Sequence, residues 1–152
     1  MVVPALDGQP DPFVQWQLVY FRSETRKDPV MTPIAAALTD AEIRNLGAYL
    51  SSLPAPAAAA GRDEHPELTA AGERLAKANR CESCHQAGYS GRDVVPRVGG
   101  QREDYLLKAL RDFKSGARRG GGVAAMPDAV YPLRDEDLRA LAHFLSRVRP
   151  AP

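Results

Sequence analysis

Residues 79–88 read NRCESCHQAG, and this stretch contains both cysteines of the chain and one of its three histidines. Cys81, Cys84 and His85 form the pattern C-x-x-C-H, which brings two thiols and an imidazole within five positions. Such a group could hold a zinc ion, cycle as a disulfide or anchor a haem. The surrounding sequence has to distinguish between these three uses.

The sequence around the motif favours the haem. A structural zinc site takes about four nitrogen or sulfur ligands, but the chain has no second C-x-x-C pair to complete the set. A dithiol of the thioredoxin type would lie near a βαβ pattern, and none is visible. In C-x-x-C-H the sulfurs can form thioethers with the haem while the histidine coordinates the iron from the same side. We therefore predict one covalent haem c at Cys81, Cys84 and His85, with a zinc or dithiol protein as the alternative.

Composition excludes several other classes of protein. The 152 residues are 44% apolar and 26% charged, which is typical of an ordinary globular protein. A net charge of +1 argues against binding to nucleic acid. The apolar runs fall far short of the roughly 20 residues that a transmembrane segment requires. The first residues, MVVPALDGQPDP, do not have the pattern of a signal peptide.

Apolar spacing predicts an all-α fold with long loops. Helices are expected over 67–80, 102–116 and 134–148, and no stretch alternates like a strand for long. Between them and the amino-terminal part, residues 54–66 are rich in proline and alanine and are interpreted as a linker. The expected organisation is an amino-terminal domain over 1–53, the linker over 54–66 and a second domain over 67–152.

The two domains are related by an internal repeat. Seven positions recur 92 residues later with the same or a similar residue: Pro4, Leu6, Gly8, Gln9, Leu18, Phe21 and Arg26 correspond to Pro96, Val98, Gly100, Gln101, Leu110, Phe113 and Arg118. After three extra residues at Gly120 to Gly122 the offset becomes 95, so that Met31 corresponds to Met126. We interpret residues 1–53 as an incomplete copy of residues 67–152.

Met126 is the candidate for a second axial ligand. A methionine thioether on the far face of a haem raises its potential relative to harder donors. Met126 is the only methionine after the motif and is predicted to lie in a loop, and both Met126 and its repeat partner Met31 are closely followed by a proline. The alternatives are that Met126 fills the core or that His143 is the ligand. A packing or surface role suits His143 better, because its repeat partner is Ala48.

Taken together, these motifs resemble a known family. From Glu67 to Val148 the chain resembles a class I cytochrome c, with a helix ending in C-x-x-C-H, a P-x-x-G-G-Q loop, a middle helix, a methionine loop and a closing helix. The loops PALDGQ and PRVGGQ make the duplicated arrangement similar to the two-domain, di-haem cytochromes of the c4 type. The resemblance implies a helical domain around a covalent haem, preceded by an incomplete copy of the same domain.

The resemblance also implies roles for individual residues. Cys81 and Cys84 would carry the thioethers, with His85 as the proximal and Met126 as the distal iron ligand. Pro96 would accept a hydrogen bond from the His85 ring, which fixes the tautomer of the imidazole.

Two further features concern the second domain in the light of the resemblance. Gly72 and Phe144 match the crossing of the first and last helices. Tyr105 is a candidate contact of a haem propionate, although its repeat partner Phe13 makes a core role an alternative. Five arginines could face the propionates or an acidic partner, or could simply be solvated: Arg92, Arg97, Arg102, Arg118 and Arg119.

The first domain departs from the family, because it lacks the first helix, both cysteines and the proximal histidine. Without that helix, the predicted helix over 39–53 should expose its apolar residues Ile43, Leu46 and Leu50. We expect the chain to be a truncated form of a precursor with a signal peptide and another C-x-x-C-H, in which case Met31 is the orphan ligand of a second haem. A naturally degenerate domain is the alternative.

The expected function follows from the ligands. An iron held by histidine and methionine has no open position for a substrate, so the protein should be a one-electron carrier and not an enzyme. Expected partners are redox proteins such as a terminal oxidase, a bc1-type complex or a dehydrogenase, in the periplasm, where haem attachment takes place. The alternative is a haem-bearing electron-transfer subunit of a dehydrogenase or flavoprotein complex.

Overall fold

The computed structural model describes residues 2–119 and 125–149. Within these ranges the chain forms helices and no strand, apart from one isolated bridge between Arg92 and Val95. The α-helices are α1 (Asp11–Arg22), α2 (Met31–Ala36), α3 (Asp40–Ser52), α4 (Pro66–Ala78), α5 (Glu82–His85), α6 (Glu103–Ser115), α7 (Ala125–Val130) and α8 (Asp135–Arg147), and a 3-10 helix covers Ala87–Tyr89. The predicted all-α fold is confirmed. None of these helices is both long and apolar enough to cross a bilayer.

The three helices predicted in the second domain are α4, α6 and α8, and their ends differ from the prediction by at most two residues. Local signals explain the agreement. Pro66 occupies the first turn of α4, where its missing N–H costs nothing, so this residue belongs to the helix and not to the linker. Gly116 ends α6 in the left-handed conformation, with a φ of 74°.

The helices repeat at the offsets found in the sequence. Helix α6 begins 92 residues after α1, and α8 begins 95 residues after α3. Each copy has its own apolar cluster: Val14, Leu18 and Ile43 form the small one, whereas the larger one surrounds Leu138 on α8. The extra residues Gly120 to Gly122 lie outside the described part of the chain. We call residues 2–53 the first copy, and the described residues from 67 onward the second copy.

The expectation that the helix over 39–53 exposes its apolar face is wrong. Ile43 is 3% exposed, and Leu46 and Leu50 are partly buried against the same cluster. Helix α1 covers this face, a contact that was missed because α1 was not predicted as a helix. Tyr49, which corresponds to Phe144 of the second copy, is instead 61% exposed.

Residues 54–65 contain no helix but are packed against α8. The Ala59 N–H donates to the carbonyl of Ser146 at 3.0 Å, and a guanidinium nitrogen of Arg147 donates to the carbonyl of Gly61 at 3.1 Å. The backbone of Ala55 lies close to Gly8 in the first copy. The predicted linker is therefore an extended strap that contacts both copies.

His143 joins the strap to two helices of the second copy. Its ring is buried, with Nδ1 at 3.1 Å from Oε2 of Glu103 and Nε2 at 3.1 Å from Oδ1 of Asp63. Arg147 lies 3.6 Å from the same Asp63 carboxylate. His143 thus ties the strap to α6 and α8, whereas the exposed His65 lies edge-on to it.

Stability at acid pH should depend on Asp63. The Thr69 hydroxyl is the main cause that lowers the pKa of Asp63 from 3.8 to about 2; burial opposes this, and the His65 N–H adds to it. A carboxyl with a lowered folded pKa adds stability above its unfolded pKa, and loses that contribution as pH falls through its folded pKa. Between about pH 4 and pH 2 the unfolding free energy should therefore fall more steeply in the wild type than in Asp63→Asn.

Denaturant titrations followed by circular dichroism at several pH values would measure this difference. Asp93→Asn is the matched control, since Asp93 is exposed and, among the described residues, its ion pair is with its neighbour Arg92. Equal pH slopes for the wild type and Asp63→Asn would contradict the prediction.

Helices α4 and α8 cross at Gly72, as the resemblance implied. A β-carbon at this position would overlap the carbonyl oxygen of Ala140 and the β-carbon of Phe144, so only glycine permits this approach. Since the obstacle is mainly backbone, the two helices would have to separate to admit a side chain. The crossing sets the position of the end of α4, where the cysteines follow.

Gly72→Val should destabilise the protein by about 3 kcal/mol or more, the upper end of the usual cost of overpacking. Ala70→Val provides the control, because Ala70 is exposed on the same helix and carries the same β-branched penalty. Unfolding free energies from urea titration would measure both. A loss in Gly72→Val no larger than that in Ala70→Val would show that the helices separate without cost.

Candidate functional site

The C-x-x-C-H motif occupies a single turn directly after α4. The Cys81 N–H donates to the carbonyl of Ala76, and the His85 N–H donates to the carbonyl of Cys81, both at 3.0 Å. Arg80 has a φ of 53°, so the chain reverses direction between α4 and this turn. Both thiols are free; Cys81 is partly buried beside the large core cluster, whereas Cys84 is exposed. Burial raises the pKa of the Cys81 thiol.

His85 is buried and oriented by one hydrogen bond. Its side chain is in the core, and Nδ1 lies 2.9 Å from the carbonyl oxygen of Pro96. Because a carbonyl only accepts, Nδ1 must carry the proton. Burial lowers the pKa of His85, although the bond to Pro96 opposes this. A neutral imidazole with Nδ1 protonated leaves Nε2 free as a metal ligand.

The loop that supplies Pro96 is held close to the motif by its backbone. The Gly91 N–H donates to the carbonyl of His85 at 2.8 Å, and the N–H groups of Val98 and Gly99 both donate to the carbonyl of Tyr89. The Tyr89 ring packs edge-on against Phe144 of α8 at 5.8 Å. These contacts fix the position of the Pro96 carbonyl relative to His85.

Met126 lies in α7, which corrects the prediction of a loop. It is the second residue of this six-residue helix, and the following Pro127 is compatible with a first helical turn. Its side chain is partly buried and packs against the same core cluster as Cys81. Met31, its repeat partner, begins α2 and packs against the small cluster of the first copy.

Arg97 is a buried cation at the boundary between the copies. It is 2% exposed, and its Nη1 and Nη2 donate to the backbone carbonyls of Gly99 and Asp7. Its Nε is buried and has no hydrogen-bond partner within the described ranges. Burial lowers the pKa of Arg97. A buried guanidinium that is bonded to neutral acceptors is costly unless an anionic group completes its environment.

A second cationic group lies at the same boundary. Arg118 Nη2 and Arg26 Nη1 both donate to Oε1 of Gln17, and Arg26 Nη2 donates to the hydroxyl of Tyr105 at 3.1 Å. Burial, followed by the charge of Arg26, lowers the pKa of Arg118 to about 10. Burial acts to raise the pKa of Tyr105, but the charges of Arg26 and Arg118 lower it overall. The Nε of Arg118 is also buried without a partner among the residues described.

The cations at this boundary fit the carboxylates of a haem. A haem bound at the C-x-x-C-H turn brings two propionates, and Arg97, Arg118 and Tyr105 offer charge-assisted donors for them. The orphaned Nε atoms of the two arginines are the observation that tests the fit, since each lacks an acceptor that an anion would provide. The residues present therefore suit the cofactor.

The structure separates the five arginines that the sequence grouped together. Arg92 and Arg102 form exposed ion pairs with Asp93 and Asp104, and Arg119 is exposed. Of the five, Arg97 is buried at the boundary and Arg118 is partly buried there. Sequence reasoning missed Arg26, although its repeat relation to Arg118 was visible and could have indicated a shared role.

Comparisons with known proteins show which family the chain resembles. The profile of the cytochrome c family matches residues 69–149. A thiosulfate dehydrogenase electron acceptor from Stutzerimonas stutzeri (strain A1501) is 34% identical over 154 residues, which span 95% of this chain and 70% of that protein. A cytochrome c4 from Thiocapsa roseopersicina is 32% identical over 152 residues, which span 93% of this chain and 77% of that protein.

Known structures show the same fold. Reduced recombinant cytochrome c4 from Pseudomonas stutzeri superposes with a TM-score of 0.86 at 27% identity, covering 96% of this chain and 85% of that one. The thiosulfate dehydrogenase TsdBA from Marichromatium purpuratum has a TM-score of 0.83 at 33% identity, covering 97% of this chain and 33% of that one. The chain belongs to the cytochrome c family and is cytochrome c4-like, an electron-transfer protein with covalently bound haem c and not an enzyme.

Proposed function

We propose that the thiols of Cys81 and Cys84 hold one haem as thioethers, with His85 and Met126 as the axial ligands of its iron. The observation that carries this proposal is the state of His85. Its buried ring donates from Nδ1 to Pro96 and leaves Nε2 free, on the same turn that carries both thiols. When bound, the haem supplies a one-electron couple between ferrous and ferric iron.

Arg97, Arg118 and Tyr105 receive the haem propionates in this proposal. All three lie at the boundary between the copies, and the Nε of each arginine has no hydrogen-bond partner there among the residues that the structure describes. Cations around the propionates offset the desolvation free energy of the buried carboxylates. Arg26 contributes from the first copy, through its hydrogen bond to Tyr105.

In this proposal residues 1–53 assist the haem-bearing domain and bind no haem themselves. This incomplete copy and the haem-bearing domain over 67–152 pack together through Gln9, Gln101 and Arg97. The strap over 54–65 contacts both. The first copy closes one side of the haem-bearing domain. Its function in this chain is to shape the environment of the haem.

The carrier exchanges electrons with other redox proteins of the periplasm, where C-x-x-C-H motifs receive their haem. Suitable electron donors are a dehydrogenase or a bc1-type complex, and a terminal oxidase is a suitable acceptor. Contacts between such proteins are small and short-lived, which suits rapid turnover better than tight binding. The exposure of Cys84 supports access to the haem edge from this side of the protein.

A dehydrogenase complex is the second candidate, because one relative is a thiosulfate dehydrogenase electron acceptor and one structural neighbour is the thiosulfate dehydrogenase TsdBA. Stopped-flow mixing of the oxidised protein with thiosulfate and a thiosulfate dehydrogenase tests it. Rapid reduction that saturates with the enzyme supports this role. Reduction no faster than that by an unrelated donor favours the general carrier.

The haem itself is tested by expressing the chain with an export signal in cells that attach haem to C-x-x-C-H motifs. We expect Soret and α absorption bands and a mass increase of one haem that survives denaturation. Cys81→Ala combined with Cys84→Ala should remove the mass increase. A wild-type protein without the bands and without added mass would end the cytochrome proposal.

A further inference from the structure

Two glutamines of the internal repeat hold the copies together by a reciprocal exchange of hydrogen bonds. Gln9 accepts from the Arg97 N–H at 3.0 Å and donates to the Arg97 carbonyl at 2.9 Å. Gln101, the repeat partner of Gln9, accepts from the Ala5 N–H at 2.7 Å and donates to the Ala5 carbonyl at 2.9 Å. Ala5 and Arg97 are themselves 92 residues apart. Both glutamines are buried, at 4% and 3% exposure.

The peptide groups that the two glutamines contact differ in their other hydrogen-bond partners. The N–H of Arg97 and the carbonyl of Pro96 belong to the same peptide group, and that carbonyl accepts the hydrogen bond from Nδ1 of His85. A continuous chain of hydrogen bonds therefore runs from the His85 ring, through one peptide group, to the side chain of Gln9. The equivalent peptide at Ala5 has no histidine of the described residues hydrogen-bonded to it.

Hydrogen bonds in such a chain strengthen one another. An acceptor on the peptide N–H draws the proton away and increases the negative charge on the carbonyl oxygen of the same peptide. The Pro96 carbonyl then accepts more strongly from Nδ1, which makes the imidazole a more basic ligand. A more basic ligand favours the ferric over the ferrous state, and the buried site keeps this effect from being screened by water.

We propose that Gln9, in the first copy, is a positioning residue for His85 that lowers the reduction potential of the haem in the second copy, by polarising the peptide between Pro96 and Arg97. The inference rests on the proposed ligation by His85. It gives the incomplete copy a defined part in electron transfer, which is to set the ferric–ferrous equilibrium of a site that it does not contain. The electron itself passes between the iron and an external redox protein, and Gln9 is not oxidised or reduced.

Gln9→Leu tests this proposal, because leucine keeps the bulk and removes the acceptor. We expect the midpoint potential to rise, changing the equilibrium constant for one-electron exchange by about threefold, which is about 28 mV at 59 mV per tenfold change. In the ferrous protein, the Nδ1 proton of His85 should move upfield in the NMR spectrum, and the Arg97 amide should exchange faster with solvent. These two signals report the hydrogen-bond chain directly.

Gln101→Leu is the matched control, since it removes the repeat-equivalent pair of hydrogen bonds, between Gln101 and Ala5, from the same boundary. It should loosen the contact between the copies to a similar extent and leave the Nδ1 proton of His85 in place. Gln9→Glu retains an acceptor for the Arg97 N–H, so the potential should not rise and the His85 signal should not move upfield. This variant keeps the test valid if Gln9→Leu does not fold.

The outcomes separate this inference from the proposal on which it rests. A wild-type protein without haem bands refutes the proposed function. With normal haem bands, a potential that rises equally in Gln9→Leu and Gln101→Leu attributes the effect to loosening of the copies and overturns the role of Gln9. A rise in Gln9→Glu as large as that in Gln9→Leu overturns it as well.

Discussion

Met126→Ala should leave the haem attached and lower its reduction potential on the order of 100 mV or more, because axial ligands tune haem potentials across roughly 0.8 V. The thioethers to Cys81 and Cys84 do not depend on Met126, so attachment survives. Loss of the thioether ligand leaves water or hydroxide as the sixth ligand, a harder donor that favours ferric iron. The open position should also bind cyanide or imidazole rapidly.

Redox titration followed by optical spectroscopy would measure the potential, and ligand titration would measure the access to the iron. Met31→Ala is the matched control, because Met31 occupies the equivalent place in the first copy, begins α2 and packs against the small cluster. It should leave the potential and the ligand access unchanged. If Met126→Ala behaves like Met31→Ala, Met126 is a core residue and not the distal ligand.

Arg97→Leu should lower the potential and destabilise the haem-bearing protein by about 1.5–3 kcal/mol, the usual contribution of a hydrogen bond to a charged group. The guanidinium is buried, and its partners in the described part of the chain are two backbone carbonyls, so a propionate is the partner that would justify its burial. Removing a nearby positive charge disfavours the added electron of the ferrous state. Unfolding by denaturant and redox titration measure the two effects.

Two further variants separate charge from packing at this position. Arg97→Lys keeps the charge but not the planar fork of donors, so the potential should stay close to wild type while part of the stability is lost. Arg92→Leu removes an exposed arginine paired with Asp93 and should change neither quantity appreciably. An unchanged potential in Arg97→Leu would mean that no propionate faces Arg97.

The local parts of the fold and of the site could be predicted from the sequence. The ends of α4, α6 and α8 follow from apolar spacing and from terminal residues such as Pro66 and Gly116, which act within one turn. Cys81, Cys84 and His85, which we propose as the haem anchors and the proximal ligand, lie within five positions, so one short motif indicates their chemistry. The repeat also indicated that Met31 and Met126 occupy equivalent places, although Met126 was expected in a loop and lies in the short helix α7.

The side chains that surround the site could not be predicted from the sequence. Gln9 and Arg97 are 88 residues apart, and Arg26 and Tyr105 are 79 residues apart. Such contacts depend on how the two copies dock, and neither apolar period nor motif spacing encodes that geometry. The same limit explains why Arg97 and Arg118 were not separated from the exposed arginines of the second domain.

The reactive residues of the site are therefore determined by local sequence, whereas their surroundings are determined by the tertiary structure. The proposed haem-attachment site and the helices around it depend on near neighbours along the chain, whose types and spacing already specify them. Burial of Arg97 and the hydrogen-bond chain from His85 to Gln9 depend on surfaces that meet only after both copies have folded. Desolvation and dipole alignment at that boundary act over a few ångströms in space regardless of separation in sequence, which is why they appear only in the folded molecule.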